Sequence, residues 1–297
     1  MDNTGKKGIK IDEVGHLFLS GQVKPHRSEF NTSRSKLTGE PARGPCVIAV
    51  CSAQEDVDRS IFAVNLAMEL ARQGRGTTLL PQLSIVPNAI TLLGLSDLTP
   101  PTEGNGVRTM EGPFGVSLFL SDRDPAVPLK HFKSKTLKAL EDITGGSSFL
   151  LLEIPDSITK KDSPLLQIAD EAILLVPPDP ELMQGAFRQL MAITEMTPEL
   201  PVWIVTNGVD SIVDGEKIYQ EMEDLSVEFL EKRLEYLGHT YKDLRYYLTC
   251  LDDPAALMRG RFSRTRKCVY EMVAVLCMME DLASKTSSPR LPVSKRM

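Results

Sequence analysis

From residue 45 onward the chain alternates between two patterns: short unbroken apolar runs, and stretches in which apolar residues recur every three or four positions. The first suits strands buried on both faces, the second helices that bury one stripe. The runs predict strands over 46–50, 78–80, 115–120, 148–153, 172–176 and 202–206. Between the first two, Phe62, Leu66 and Leu70, with Ala63 and Ala67, mark a helix that ends near Gly74. Further stripes are Phe132, Leu137 and Leu140; Met183, Phe187, Leu190 and Met191; Ile218, Met222, Leu225 and Phe229; and Val269, Met272, Val273, Leu276 and Met279. All are expected to be core, with a docking face as the alternative for the last, Met-rich one. Strands alternating with helices predict an α/β fold, a mostly parallel sheet with helices on both faces. Residues 96–113, SDLTPPTEGNGVRTMEGP, concentrate proline and glycine and are expected to form a long surface loop.

The polar flanks change the picture at both ends. Residues 1–44 are rich in Lys, Ser, Gly and Pro and are expected to be a flexible extension with one short amphipathic helix carrying Ile11, Val14, Leu17 and Phe18. The folded domain is expected over 45–284, followed by a basic, disordered tail over 285–297. A chain of 297 residues, 42% hydrophobic, can bury a sizeable core. The net charge of −6 argues against nucleic-acid binding by the surface as a whole. Arg259, Arg261, Arg264, Arg266 and Lys267 form a local basic cluster, read first as solvated charge. Five cysteines without a CxxC pair predict reduced thiols and no zinc site. Without a signal peptide or a membrane span in its pattern, the protein is expected to be cytoplasmic, at most peripheral to the inner face of the plasma membrane.

Candidate chemistry centres on CSAQEDVDRS, residues 51–60, which lies between a strand and a helix where nucleotide-binding folds place a phosphate loop. The stretch contains no glycine. Such loops need glycine because they take left-handed conformations and bring main-chain N–H groups close to phosphate. A carboxylate ~4 Å from a phosphate charge repels it by about 1 kcal/mol in bulk water and about 4 kcal/mol in a half-exposed setting. Asp56 or Asp58 could instead cap the helix expected to begin near Arg59. The histidines show no metal spacing, and neither GxSxG nor HExxH occurs.

CVIAVCSAQEDVDRSIFAVNLAMELARQGRGTTLL resembles the first strand, Walker A loop, first helix and second strand of the MinD/ParA group of P-loop ATPases, with AVNLAMELARQG at 63–74 the most specific part. The resemblance runs from about 45 to 282. PNAITLLGL at 87–95 is similar to the short helix after the second strand, FLLLEIPDS at 149–157 takes the Walker B place, and ADEAILLVPPDPELMQGAF follows it. FLEKRLEYLG at 229–238 is most like the FlhG branch. The resemblance implies a three-layer P-loop NTPase-like fold. It places the signature lysine on Gln54, loop glycines on Glu55, Asp56 and Asp58, the Walker A lysine on Arg59, and the magnesium-binding hydroxyl on Ser60. The Walker B acid falls on Glu153, the switch glycine on Ser157, and the adenine-side asparagine on Asn207. Pro81, Gln82 and Leu83 stand where the family has a carboxylate that orients the attacking water.

The expectation from these departures is a vestigial nucleotide site with no catalytic residue, metal or cofactor, in which Arg59 pairs with Glu153. The chain would then be a non-hydrolysing pseudo-ATPase, a scaffold or regulator in cell-pole, flagellar, division or cargo positioning. Its partner would be a protein, either an active MinD/ParA-like ATPase or a second copy, with no specific nucleic acid and only weak membrane contact. The alternative is a divergent but active switch that binds ATP and Mg.

Overall fold

The computed structural model describes residues 45–53, 57–82, 88–95, 107–121, 144, 147–155, 158, 163–242 and 264–286, and all statements below concern these. The first apolar run is β1 (Cys46–Ser52), whose side chains alternate between two cores. Ile48 and Val50 join one cluster; Val47, Ala49 and Cys51 join the other. A strand apolar on both faces belongs in the middle of a sheet. β1 lies there, between β5 (Phe149–Glu153) and β6 (Glu171–Val176), parallel to both.

The remaining strands are β2 (Thr77–Leu80), β3 (Val107–Glu111), β4 (Ser117–Ser121), β7 (Val202–Val209) and β8 (Glu235–Tyr241). The sheet order is β3-β4-β2-β5-β1-β6-β7-β8, with every pairing parallel except β3 against β4. Helices α1 (Val57–Arg72), α2 (Ala89–Leu92) and α6 (Arg264–Thr286) pack on one face; α3 (Ser163–Ile168), α4 (Pro180–Met196) and α5 (Ile212–Leu230) pack on the other. The result is the three-layer α/β fold expected from the pattern. Each fully buried Leu or Ile in these layers contributes about 1.5–3 kcal/mol.

Local rules set the helix starts. Asn88 Oδ1 accepts from the N–H groups of Ile90 and Thr91 to open α2. Asp179 caps α4 in the same way, with Pro180 in the first turn where its missing N–H costs nothing. Helix α1 begins at Val57, two residues before the expected start, so the N-cap position falls at 56, outside the described residues, and Asp58 is already helical. Arg75 ties the turn after α1 to α6 through Glu280 and Asp281, each at 2.8 Å.

Five expectations are corrected. The loop over 96–113 contains β3, an antiparallel edge strand. The strand expected from 115 starts at Ser117, because Pro113–Gly115 forms a 3-10 turn with Phe114 and Gly115 at φ 59° and 81°. β8 extends the sheet beyond β7 and takes up part of FLEKRLEYLG. Among the stripes, Phe229 is 63% exposed and Met191 47%, so neither is core. Helix α6 also runs through Lys285 to Thr286, into the segment expected as tail. The N-terminal extension, the Phe132 stripe and the residues after 286 lie outside the described set.

Gly215 on α5 marks a close approach to β7 and β8: a Cβ there would stand 2.8 Å from Thr206 Oγ1 and 3.0 Å from the Tyr236 hydroxyl. These two groups share a 3.1 Å hydrogen bond. Gly215→Ala is expected to push them apart and destabilise the fold by about 1–2 kcal/mol, read from the urea unfolding midpoint.

Candidate functional site

The carboxyl end of β1, the start of α1 and the carboxyl end of β5 meet because β1 and β5 run parallel with Val50 level with Glu153. Open α/β sheets place their ligand sites at this edge. Ser60 Oγ donates to Glu153 Oε2 at 2.9 Å, and the Gln82 main-chain N–H donates to the same oxygen at 3.1 Å. Glu153 is 2% exposed, and its Oε1 has no hydrogen-bond partner among the described residues. Burial pushes its carboxyl above the usual range; the Arg59 charge, the Gln82 N–H and the Ser60 hydroxyl pull against that.

Arg59 has no exposed surface. Its guanidinium lies within electrostatic reach of Glu153 and also of Cys51 on β1, where burial pushes the thiol up to about 12 and Arg59 draws it down. A cation that serves phosphate has to present donors to it. This one is enclosed by the protein. Ser60 and Glu153, by contrast, form a directly hydrogen-bonded hydroxyl and carboxylate pair.

Helix α4 closes the other side of the turn. Gln189 Nε2 donates to the Ser52 carbonyl at 2.7 Å, and a Cβ on Gly185 would stand 3.1 Å from Ala53 Cβ. The residue entering the loop is thus held by α4 as well as by the sheet. Asn207 lies on β7, separated from β1 by β6, and its Oδ1 accepts from Thr240 Oγ1 on β8 at 2.5 Å. That same hydroxyl accepts from the Gly208 N–H.

Of the residues proposed from sequence, the structure therefore gathers Arg59, Ser60 and Glu153, and places Asn207 apart from them. Gln54, Glu55 and Asp56 lie outside the described residues, as does the side chain of Asp58. Sequence reasoning missed the roles of Cys51, Gln82, Gln189 and Thr240. One signal was available: Gln189 interrupts an apolar helical stripe, and a buried amide there requires a partner.

No protein-family model matches the chain. In sequence it is similar to the antiactivator FleN of Pseudomonas aeruginosa, an FlhG protein, with 23% identity over 207 residues, 65% of this chain and 72% of that one. In structure it is similar to the MinD cell division protein of Aquifex aeolicus, with a TM-score of 0.57 and 18% identity, covering 78% of this chain and 97% of that one. It is also similar to a ParA family ATPase of Chlorobium tepidum, with a TM-score of 0.60 and 14% identity, covering 77% and 98%. The chain thus has the fold of the MinD/ParA ATPases, and its sequence resemblance is to their FlhG-like branch.

Proposed function

We propose that the chain is a MinD/ParA-fold regulator that works by binding a protein partner and neither hydrolyses nor requires ATP, in cell-pole, flagellar, division or cargo positioning. The observation that carries the reading is the enclosure of Arg59, at the Walker A lysine position, between Cys51 and Glu153. A fully buried guanidinium does not present its donors to a triphosphate in solvent, and its planar fork cannot stand in for a compact ammonium. Regulation through proteins fits the relatives by name: FleN is an antiactivator, and an Aquifex MinD forms a MinC:MinD complex. The reading requires neither nucleic acid nor a membrane anchor, and no helix among the described residues is long and apolar enough to cross a membrane. A cytoplasmic location, with any membrane contact peripheral, accompanies it.

The 2.9 Å contact between Ser60 and Glu153 favours a second reading, a divergent switch that binds ATP with Mg through these two groups. Thermal unfolding separates the two. A ligand at a hundredfold excess over Kd stabilises by about 2.7 kcal/mol. We expect no shift in Tm on adding Mg·ATP at millimolar concentration; a saturable rise would replace the first reading with the second.

A further inference from the structure

We propose that the start of α6 is a proton-sensitive latch, pinned to the end of β8 by His239 and released when that imidazole is protonated. Three contacts close it, all made between Arg264 and Cys268. The Arg264 guanidinium lies over the Tyr241 ring, 3.5 Å from its centroid. Thr265 Oγ1 donates to the Tyr241 carbonyl at 3.3 Å. Cys268 Sγ stands 3.8 Å from His239 Nε2. On β8 itself the rings of His239 and Tyr241 meet edge to face, their centroids 4.9 Å apart, so the three contacts bear on one another.

The latch suits a neutral imidazole. Cys268 is buried, and burial pushes its thiol up to about 11, so the pair is an S–H donor facing a ring nitrogen that accepts. A protonated ring carries N–H at both nitrogens and takes that acceptor away. It also sets a second cation against a tyrosine ring that already carries the guanidinium. The groups that face His239 are Arg264, Cys268 and Glu271 from α6, Glu216 from α5, Tyr241 on β8 and the uncharged Thr206 opposite it on β7. Burial, with the Arg264 charge behind it, holds the imidazole below its ordinary value of 6.5; Glu271 and Glu216 pull against that.

The open latch therefore takes up the proton more readily than the closed one. His239 supports the closed form fully above pH 6.5, and this support is lost as pH falls through the lowered value. Packing limits what opens. Beyond Cys268, α6 is seated by Val269, Met272, Val273 and Leu276 in the apolar cluster on the sheet, and a Cβ on Gly238 of β8 would stand 3.2 Å from Met272 Cε. None of these side chains titrates. Acid frees the first turn and leaves the rest of the helix in place. The latch goes beyond the regulator reading, since it requires neither a nucleotide nor a partner.

The test is backbone amide hydrogen exchange of the full chain, resolved by NMR from pH 7.5 to 5 and corrected for intrinsic rates, beside a titration of the His239 Cε1–H resonance. The amides of 268–270 report on the latch, because they bond to the carbonyls of the first turn. We expect their exchange to rise at least about threefold in acid, following a His239 pKa below 6.5, while the amides of 274–276 keep their protection. His239→Gln keeps an acceptor for the thiol and cannot ionise, so it should abolish the rise. Glu271→Gln removes an attracting carboxylate and should move the midpoint to lower pH. Four results would each overturn the inference: exchange at 268–270 that does not change with pH, a rise that survives His239→Gln, a midpoint indifferent to Glu271→Gln, or a His239 pKa at or above 6.5. The first and last are read on the unaltered chain and stand even where a variant fails to fold.

Discussion

Replacing Arg59 with alanine is expected to lower the free energy of unfolding by about 3–5 kcal/mol, because it leaves a buried carboxylate without its neighbouring cation. Glu153 is held by the Ser60 hydroxyl and the Gln82 N–H and has nowhere to turn. In the variant its pKa, already raised by burial, loses the Arg59 attraction and rises further. A raised carboxyl favours folding at low pH, where it is protonated, and this contribution is lost as pH rises through the folded value. The deficit should therefore be larger at pH 8 than at pH 5. Removing both charges, with Arg59→Met and Glu153→Gln, keeps an acceptor for Ser60 and Gln82 and most of the packed volume, and should fall within about 1 kcal/mol of the parent. Urea unfolding followed by the fluorescence of Trp203, the single tryptophan, reads all three proteins. A loss below about 1 kcal/mol for the alanine variant would mean that the guanidinium contributes little to this cluster.

The second large effect lies at the opposite, amino ends of the central strands. Glu171, at the start of β6, accepts a 2.8 Å hydrogen bond from the Trp203 indole N–H. Burial raises its carboxyl from 4.5 to about 7; the Trp203 bond opposes this and Asp170 adds to it. The folded state therefore binds the proton more tightly than the unfolded chain. Its contribution is fully present below pH 4.5 and is lost as pH rises through about 7. The whole span is worth about 3 kcal/mol. Glu171→Gln keeps an oxygen for the indole and cannot ionise. It should match the parent near pH 4.5 and exceed it in stability by up to about 3 kcal/mol at pH 8. Parallel stability profiles from pH 4.5 to 8 would show that the carboxyl titrates elsewhere.

The parts of the fold that could be read from sequence are those where burial is two-sided. β1, β5, β6 and β7 are continuous apolar runs because helices cover both of their faces. β3 and β8 stand at the two edges of the sheet, where one long side has no neighbouring strand, and their compositions VRTME and EYLGHTY carry no such run. Missing β8 also hid the partner of Asn207, since Thr240 lies on it. Periodicity placed Phe229 on the inward stripe of α5 but could not show that the helix ends one residue later. At the candidate site, the order of strand, turn and helix located Ser60 and Glu153. The approach of Arg59 to Glu153 was expected from their positions in the motif; its nearness to Cys51 and its complete burial were not legible, because a basic residue at a helix start ordinarily points to water.

The covering of the sheet by α6 bears on how the chain matures. Ile48, Val50, Ile173 and Val205 share one apolar cluster with Val269, Met272 and Leu276, yet α6 follows every strand in the chain. During synthesis, the part of that face beside β8, which α6 rather than α1 or α2 covers, stays bare until residues beyond 264 emerge, and a partly made chain exposes a sticky apolar surface there. The clasp between Arg75 and Glu280 and Asp281 then fastens the latest helix to one of the earliest turns. Premature termination ahead of α6 would leave a product suited to chaperones and proteases rather than to any partner.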